Sequence, residues 1–325
     1  MKRVLLSLII IHFLFSSAWA QSLTFVELNC ENMFDYTHDD GKQDVEYLPE
    51  ATRHWTKQRY WRKLNHIAQE LLSCSDDGIP DLIALCEVEN DSVLHDLTKR
   101  SLLRHAGYEY LMTSSPDERG IDVALVYSPF SFAPIHHHAI RVEPIKGMRP
   151  TRDILYVSGE TVSGDTLHVF VVHLPSKFGG ERYSRPFREV ATRKLCEAID
   201  SVYAVNSESQ VIIAGDFNDG PESQTLQTIE EHRTQNLTAN ASAPKDIGGT
   251  YRYQGEWERI DHILASPMMK VDTALIHAPA FLLEEDKTYG GVKPKRTYQG
   301  MRYQSGYSDH LPLVVRFLLS NIRQL

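Results

Sequence analysis

Six apolar stretches of the sequence each end on an acid, an amide or a histidine. The stretches are short, rich in Val, Ile and Leu and bounded by turn residues, which is typical of buried strands. Taken alone, a carboxylate at a strand end is usually solvated or caps the next element, and a histidine there usually packs in the core. Burying many such groups is costly unless they are paired or bind a metal, so together they predict one shared site. In chain order they are Asn29, Glu31 and Asn32; Glu87, Glu89 and Asn90; His173; Asp216 and Asn218; Asp261 and His262; Asp309 and His310.

The residue types in this set favour a hard cation. The chain has neither a cysteine cluster nor an HExxH motif. Carboxylate and amide oxygens therefore indicate Mg²⁺, or Mn²⁺ or Ca²⁺, rather than Zn²⁺. The three consecutive histidines at 136–138 also suggest metal binding, but nothing else near them has ligand spacing, and a solvated loop is the favoured interpretation.

The elements that must position these residues follow from hydrophobic periodicity. Helical spacing at 55–73 and at 188–205 gives each segment one apolar stripe, which predicts that each helix covers a sheet. The polar stretches 232–256 and 284–308 are interpreted as long loops. We expect a fold of the α/β class, with two facing mixed sheets and helices outside. The predicted strands are 23–29, 81–88, 122–128, 167–174, 210–217, 259–266 and 311–319, with weaker candidates at 139–145 and 154–160.

Residues 1–20 have the pattern of a cleavable secretory signal. Lys2 and Arg3 precede an apolar run, and the small residues Ala18 and Ala20 flank a tryptophan. A membrane anchor is the competing interpretation, but the run is shorter than the roughly 20 residues that span a bilayer. We therefore predict one catalytic domain at 21–325, exported to the periplasm or the medium.

Four cysteines, Cys30, Cys74, Cys86 and Cys196, could form two disulfides in an exported protein. Their apolar surroundings in the sequence instead predict buried thiols, and no pair has the CxxC spacing of a metal site. The net charge of the whole chain is −9, and removal of residues 1–20 leaves 32 basic against 43 acidic residues, or −11. Such a chain has no broad basic face for nucleic acid, although a local basic patch or a bound cation could bring in a phosphate.

The motifs LNCEN, ALCEVEN, HLPSK, GDFND, RIDHIL and SDHLPL, in this order and spacing, resemble the endonuclease/exonuclease/phosphatase superfamily. Its members include deoxyribonuclease I, AP endonucleases, sphingomyelinases and inositol polyphosphate 5-phosphatases. The similarity runs from Leu23 to about Phe317. It implies a four-layer α/β/β/α sandwich that hydrolyses a phosphoester with a divalent cation, here in a secreted bacterial-type member.

The resemblance also implies which residues bind the cation. Asn29 and Glu87 match the principal metal-binding positions of the family. Glu31 lies where some members have another acidic ligand, and Asp309 matches an acid that is often near the metal.

Five further residues match catalytic positions of the family. Asp216 and Asn218 match the pair that orients or deprotonates the attacking water and holds the phosphate. His310 matches a histidine that contacts the phosphate or acts as a base, and Asp261 matches the acid that orients it. His173 matches a histidine of the deoxyribonuclease I and sphingomyelinase branches. A carboxylate beside a histidine fixes its tautomer, so Asp261 and His310 form the pairing with the most mechanistic content.

Four basic residues are candidate substrate contacts. Arg119 stands, in a loose alignment, where deoxyribonuclease I relatives have a phosphate-binding arginine. Lys177 and Arg185 lie in the glycine-containing segment SKFGGERYSRPFR, which could equally be a loop and helix start with solvated charges. Arg302 lies in a stretch that interleaves basic residues with tyrosines. Bases stack on tyrosine and phosphates pair with arginine, but a lipid headgroup or a sugar phosphate would also fit.

Three functions remain open from the sequence. The first is a metal-dependent nuclease or phosphodiesterase that cleaves nucleic acid by in-line attack of water. The second is a phosphatase or a sphingomyelinase-like phosphodiesterase. The stretch GEWERIDHIL lacks the extended motif of inositol 5-phosphatases. The sequence shows no apolar hairpin with exposed aromatic residues, so we expect no stable membrane association. The third is a silent binding protein, which is disfavoured because every matched catalytic position holds a competent residue. His262 is interpreted as a packing or supporting residue.

Overall fold

The computed structural model describes residues 22–75 and 78–319, so the predicted signal at 1–20 lies outside the described residues. The α-helices are α1 Lys57–Leu72, α2 Asp91–His95, α3 Glu181–Val205 and α4 Gln224–Glu231, joined by 3₁₀ turns at Val45–Tyr47, Leu102–His105 and Ala280–Leu282 and a π-helical turn at Asp96–Arg100. The strands are β1 Ser22–Met33, β2 Leu82–Val88, β3 Glu109–Met112, β4 Asp122–Tyr127, β5 Phe132–Ile140, β6 Ile154–Thr161, β7 Thr166–His173, β8 Gln210–Asp216, β9 Gln235–Asn236, β10 Tyr251–Tyr253, β11 Glu256–Glu258, β12 Asp261–Ala265, β13 Lys270–Ile276, β14 Leu283–Glu285, β15 Val292–Pro294, β16 Tyr298–Gln299, β17 Arg302–Tyr303 and β18 Leu313–Leu318.

Two six-stranded mixed sheets form the centre of the molecule. Their strand orders are β13-β18-β1-β2-β4-β3 and β5-β6-β7-β8-β12-β9. Within them β1 and β2 are parallel, as are β7 and β8, whereas β12 runs antiparallel to β8 and β18 antiparallel to β1. Side chains from both sheets meet in one buried core, for example Phe25 and Leu125 with Val169 and Ile212. Helix α1 covers the outer face of the first sheet, and α3 and α4 cover that of the second. The predicted α/β/β/α sandwich is confirmed.

The seven main strands and both helices lie where the apolar pattern predicts them. The central strands are apolar on both faces because one face meets the other sheet and the opposite face meets a helix. In α3 the residues Leu195, Ile199 and Val202 share one face and are buried. All four cysteines are buried free thiols, as expected from their apolar surroundings. Among the described helices, none combines the length and the apolar character needed to cross a bilayer.

Three expectations about the connecting segments were wrong. The stretch 139–145 is not a strand of its own, because β5 ends at Ile140. The histidines at 136–138 lie in β5, an exposed edge strand, and not in a loop. The stretches 232–256 and 284–308 contain short strands, most of them paired as the two-stranded hairpins β10/β11, β14/β15 and β16/β17. Strands of two or three residues are too short to show an alternating pattern in the sequence.

Helix α3 also begins earlier than the expected start near Arg188. Its first residue is Glu181, so Arg185 is helical and only the beginning of the segment after His173 is a loop. Pro186 lies within the second turn of the helix. Proline lacks a backbone N–H and usually interrupts a helix, which is why the sequence pattern placed the boundary after it.

Candidate active site

The polar strand ends meet at one edge of the sandwich. The carboxyl ends of β1 and β2 and of β7 and β8 point to this edge, as do the amino ends of the antiparallel strands β12 and β18. At this edge a hydrogen bond joins the two sheets, because the side-chain amide of Asn29 on β1 donates to Asp216 Oδ2 on β8 at 3.0 Å. The two sheets therefore contribute jointly to a single polar cluster.

Asp216 lies at the centre of this cluster. The strand register places it opposite His173 on β7 and opposite Asp261 on β12. Its Oδ1 accepts the backbone N–H of Asn218 at 2.8 Å, and His173 Nε2 is 3.5 Å from its Oδ2. Burial and the nearby charge of Asp261 raise the pKa of Asp216 to about 7. The carboxyl group is thus held rigidly in a place with little water and excess negative charge.

Gly215 makes this arrangement sterically feasible. Its φ is +145°, and a Cβ atom added there would lie 1.8 Å from the carbonyl oxygen of Val172 on β7. Only glycine lets β8 approach β7 so closely at this point. The glycine of the GDFN motif therefore sets the position of Asp216 next to His173.

His310 and Asp261 form a buried pair beside Asp216. His310 Nδ1 lies 2.8 Å from Asp261 Oδ2, and the same carboxylate oxygen accepts a hydrogen bond from the hydroxyl of Thr250. The ring of Tyr251 packs on His310 with centroids 4.9 Å apart. Burial opposes a charged imidazole, but the attraction of Asp261 outweighs it and raises the pKa of His310 well above its ordinary value. Because Nδ1 faces Asp261, Nε2 is the ring nitrogen that is open to the site.

The turn before β18 aims His310 into the site. Ser308 Oγ donates to the backbone oxygen of Asn29 at 2.6 Å and accepts the N–H of His310 at 3.2 Å. A Cβ at Gly306 would lie 2.0 Å from the backbone oxygen of Lys295, so only glycine fits there. The turn is therefore fixed to β1 on one side and to the preceding loop on the other.

Strained backbone positions surround the cluster. Glu31, Asn32, Glu87 and Asn218 all have positive φ, at 51°, 55°, 61° and 51°. Both β1 and β2 are bulged where the glutamates occur. Non-glycine residues rarely adopt this conformation, and such strain concentrates at functional sites. The bulges turn both glutamates toward the same edge as Asp216.

Two arginines contact the outer acids of the site. Arg296 bonds to Asp309 and, at 3.4 Å, to Glu31 Oε1. Arg119 bonds to Asn32 and, at 3.4 Å, to Glu87 Oε1. Burial and the neighbouring Asp309 raise the pKa of Glu31 to about 7. Asp309 pairs with Arg296, whereas His173 lies against Asp216.

The donor set fits a divalent cation. Asp216, Asp261 and His310 each offer one ligand atom, and these atoms lie within 4.8 Å of one another. Asp261 Oδ1 is buried and has no hydrogen-bond partner among the described residues. A cluster of desolvated carboxylates with an unpartnered oxygen is the environment that a hard cation neutralises. Because His310 Nδ1 is bonded to Asp261, the oxygens that a cation at this edge would use are those of Glu31, Glu87 and Asp309, the predicted ligands that lie around the cluster.

Two of the four predicted substrate contacts lie at or near the site, and the other two do not. Arg119 lies at the site, and Lys177 Nζ is 3.6 Å from Asp219 Oδ1, next to Asn218. Arg185 pairs with Glu181 on the exposed surface of α3. Arg302 is exposed in β17. Within the described part of the chain, no contact links Arg185 or Arg302 to the catalytic groups.

Sequence reasoning missed several residues of the site. Arg152 donates to the backbone oxygens of His173 at 3.2 Å and Leu174 at 2.8 Å, but it lies in a segment with no strand signal. Arg296 was one of several basic residues in its stretch, and nothing distinguished it. Glu27 is buried on β1 and its carboxyl oxygens have no partner among the described residues. An acid two positions before Asn29 in an apolar strand was a signal that could have been used, since both side chains share one face.

An α/β/β/α sandwich whose central strands end in a buried acidic cluster with a paired histidine defines a class of phosphoester hydrolases. A sequence model of the group described as the Endonuclease/Exonuclease/phosphatase family matches residues 24–318. The chain belongs to this family, and the resemblance seen in its motifs is confirmed. It is an enzyme that acts on phosphoester bonds, in a family that generally depends on divalent metals.

Solved structures share the fold. A family member from Bacteroides thetaiotaomicron is 16% identical, with a TM-score of 0.63, and the match covers 91% of this chain and 98% of that one. A mannosyl-6-phosphatase from the same species is 16% identical, with a TM-score of 0.62 and coverage of 91% and 100%. The catalytic domain of human nocturnin is 20% identical, with a TM-score of 0.58 and coverage of 91% and 94%. A search of curated protein sequences found no match.

Proposed function

We propose that this enzyme is an exported phosphodiesterase that cleaves nucleic-acid-type phosphodiesters with a divalent cation. The buried triad of Asp216, Asp261 and His310 is the observation that supports the proposal. It combines a fixed carboxylate that can take a proton with a histidine whose Nε2 faces the same space. Hydrolysis of an anionic ester needs a base that takes the proton of the attacking water and a donor that protonates the leaving oxygen.

In the proposed reaction, a water oxygen forms a bond to phosphorus as the bond from phosphorus to the leaving oxygen breaks. Asp216 accepts the proton of the water, and Asn218 orients the attacking side. His310 gives a proton from Nε2 to the leaving oxygen, and Asp261 keeps the proton on Nδ1. The products are an alcohol and a phosphomonoester. Arg119 and Arg296 lie where they can contact phosphate oxygens, since each already contacts an acid of the site.

The family's divalent cation would be held by the oxygen-rich set Asn29, Glu31, Glu87 and Asp309. A bound Mg²⁺, Mn²⁺ or Ca²⁺ supplies charge neutralisation at the phosphoryl oxygens. The secretory pattern of residues 1–20 supports export, and the net charge of −11 without them makes a local, metal-assisted contact with phosphate more plausible than a broad basic groove.

A second candidate is a phosphatase that acts on small phosphomonoesters. The observation in its favour is that Arg119 and Arg296 approach the acids from different loops, which suits a dianionic phosphate group held on two sides. One protein of the same fold is described as a mannosyl-6-phosphatase. A sphingomyelinase-like activity on lipid is the remaining variant of this hypothesis.

A substrate panel tests the proposal. The purified enzyme is incubated with plasmid DNA, RNA, bis-p-nitrophenyl phosphate, p-nitrophenyl phosphate, mannose 6-phosphate and sphingomyelin, each with Mg²⁺, Mn²⁺, Ca²⁺ or EDTA. We expect metal-dependent cleavage of the diesters and a loss of about 10³-fold in Asp216→Ala. The matched control Asp246→Ala changes an exposed aspartate and should leave the rate unaltered. No hydrolysis of any phosphoester, or full activity in Asp216→Ala, would overturn the proposal.

A further inference from the structure

A cavity of about 430 Å³ opens beside the candidate active site. We call it the side pocket. Its volume lies within the roughly 300–1,000 Å³ range of small-molecule sites. Residues that line it include Arg119, Met148, Arg149, Pro175, Phe178 and Tyr183. Apart from Arg119, none of these six residues has a role in the proposed hydrolysis.

The side pocket is continuous with the catalytic edge. Arg119 lines it and also bonds to Glu87 of the site. Arg152 lines it as well and holds the backbone oxygens of His173 and Leu174. Pro175, the next residue, forms part of its wall. A group bound in the pocket therefore lies next to the phosphate that the site would hydrolyse.

Hydrogen-bonding groups in the wall are mostly already paired with one another. A sugar, which presents many hydroxyls, would have to break these contacts to bind well. The three pairs are Arg152 Nη1 with Asp117 Oδ2 at 3.2 Å, Gln43 Nε2 with Glu118 Oε2 at 3.2 Å, and Tyr183 OH with the backbone oxygen of Gly147 at 3.1 Å. Apart from the hydroxyl groups of Thr151 and Ser176, the wall offers a ligand aromatic faces and the cationic groups of Arg119 and Arg149.

Both aromatic side chains are exposed, and Tyr183 is also held in place by its neighbours. Phe178 is 78% exposed and Tyr183 is 54% exposed, although both are large and apolar. Tyr183 is fixed by an edge contact with Phe187, with ring centroids 5.1 Å apart. Gly179 has a φ of +81°, and a Cβ there would lie 2.8 Å from the Tyr183 ring, so the loop tip packs closely on that ring. Exposed rings of this kind are stacking surfaces for a planar ligand.

We propose that the side pocket binds the nucleoside part of a nucleotide ester, with the base stacked on Phe178 and Tyr183. This inference rests on the proposed function, because it assigns the substrate class of the same site. Stacking of one base contributes about 1–3 kcal/mol, or about 5- to 150-fold in affinity. A pocket of this size takes one nucleoside, so recognition extends to a single residue beside the cleaved bond.

Binding is measured first, because it does not depend on turnover. Calorimetric titration of the full-length mature enzyme with thymidine 5′-monophosphate is compared with methyl phosphate and inorganic phosphate. We expect the nucleotide to bind at least about tenfold more tightly than methyl phosphate, and Phe178→Ala to reduce this ratio to about two or less. The matched control Phe130→Ala removes a ring that is 84% exposed outside the pocket, and it should keep the ratio.

Steady-state kinetics then test the nucleoside pocket independently of the proposed hydrolysis. The thymidine 5′ and methyl esters of p-nitrophenyl phosphate release the same leaving group, and we expect a lower KM for the thymidine ester that Phe178→Ala raises about tenfold. A nucleotide that binds no better than methyl phosphate, or less well than mannose 6-phosphate, would overturn the pocket assignment even if both esters are hydrolysed. Preferential nucleotide binding with no hydrolysis of either ester would support the pocket and refute the proposed function.

Discussion

Two Asp-His dipeptides lie at the catalytic edge and use their residues in opposite ways. In the first, Asp261 points into the site, whereas His262 points away and contacts the amide of Asn236 at 3.1 Å. In the second, His310 points into the site and Asp309 pairs with Arg296. Asp261 and His262 lie in β12, where side chains alternate between the two faces of the sheet, whereas Asp309 and His310 lie in the turn before β18. The site therefore assembles one acid and one histidine from two copies of the same local sequence.

The partner of each histidine sets its charge. Both rings are buried, but among the described residues His262 has neutral hydrogen-bond partners, the side-chain amide of Asn236 and, at 2.9 Å, the backbone oxygen of Asp219. Burial lowers the pKa of His262 to about 4. For His310 burial acts in the same direction, yet the carboxylate of Asp261 reverses the outcome and raises the pKa well above the ordinary value. Equal burial with unequal partners gives a neutral structural histidine and a charged one that faces the site.

The largest expected effect comes from substituting the two histidines in parallel. His310→Asn removes the group placed to protonate the leaving oxygen, and we expect kcat/KM on a diester to fall about 10³-fold. His262→Asn leaves the site intact, so the rate should stay within about threefold, while the free energy of unfolding falls by about 2 kcal/mol from lost buried contacts. Kinetics and urea denaturation of both variants measure this. Similar rate losses in the two would contradict the division of roles.

A smaller effect is expected from Asp261→Asn. The substitution keeps the shape of the side chain but removes the charge that holds His310 in its tautomer. We expect kcat to fall about 10²-fold with KM changed less than threefold, because the group acts in the reaction and not in binding. Steady-state kinetics and the melting temperature are compared with those of Asp246→Asn, an exposed control. A rate loss that disappears at lower temperature, together with a much lower melting temperature, would indicate that Asp261 is structural only.

The sequence predicts only part of the difference between these two dipeptides. The apolar runs before the motifs locate the strands, and the order of the motifs indicates which acids and histidines share a site. The pairing expected between Asp261 and His310 corresponds to a contact of 2.8 Å. These features are local patterns repeated along the chain, and each apolar strand positions the polar residue that follows it.

Other features of the site depend on contacts between distant segments. Arg296 reaches Glu31 across 265 positions, and Arg152 supports His173 from an irregular segment. The positive φ of Glu31 and Glu87 arises at bulges that have no glycine to mark them. Backbone strain and long-range ion pairs follow from how the sheets pack, so no local pattern predicts them. The same holds for the side pocket, which is formed by four separate segments of the chain.

A buried acid whose carboxyl oxygens make no hydrogen bond provides the smallest and most direct test of the view that the partner sets the charge. Glu70 lies on α1, and neither of its carboxyl oxygens has a hydrogen-bond partner among the described residues. Burial raises its pKa from 4.5 to about 8. The folded protein therefore holds a proton that the unfolded chain releases above about pH 4.5, and stability should fall as the pH rises from about 4.5 to 8.

Glu70→Gln removes this titration because the amide is neutral in both states. At pH 8 we expect the variant to be more stable than the wild type by about 2 kcal/mol, whereas at pH 4.5 the two should differ little. Urea denaturation at several pH values measures the difference, and Glu50→Gln, at an exposed position, is the matched control. If the gain is the same at both pH values, Glu70 is ionised in the folded protein and must have a partner that neutralises it. A gain confined to high pH shows that a buried carboxyl group without a hydrogen-bond partner stays protonated in the folded protein.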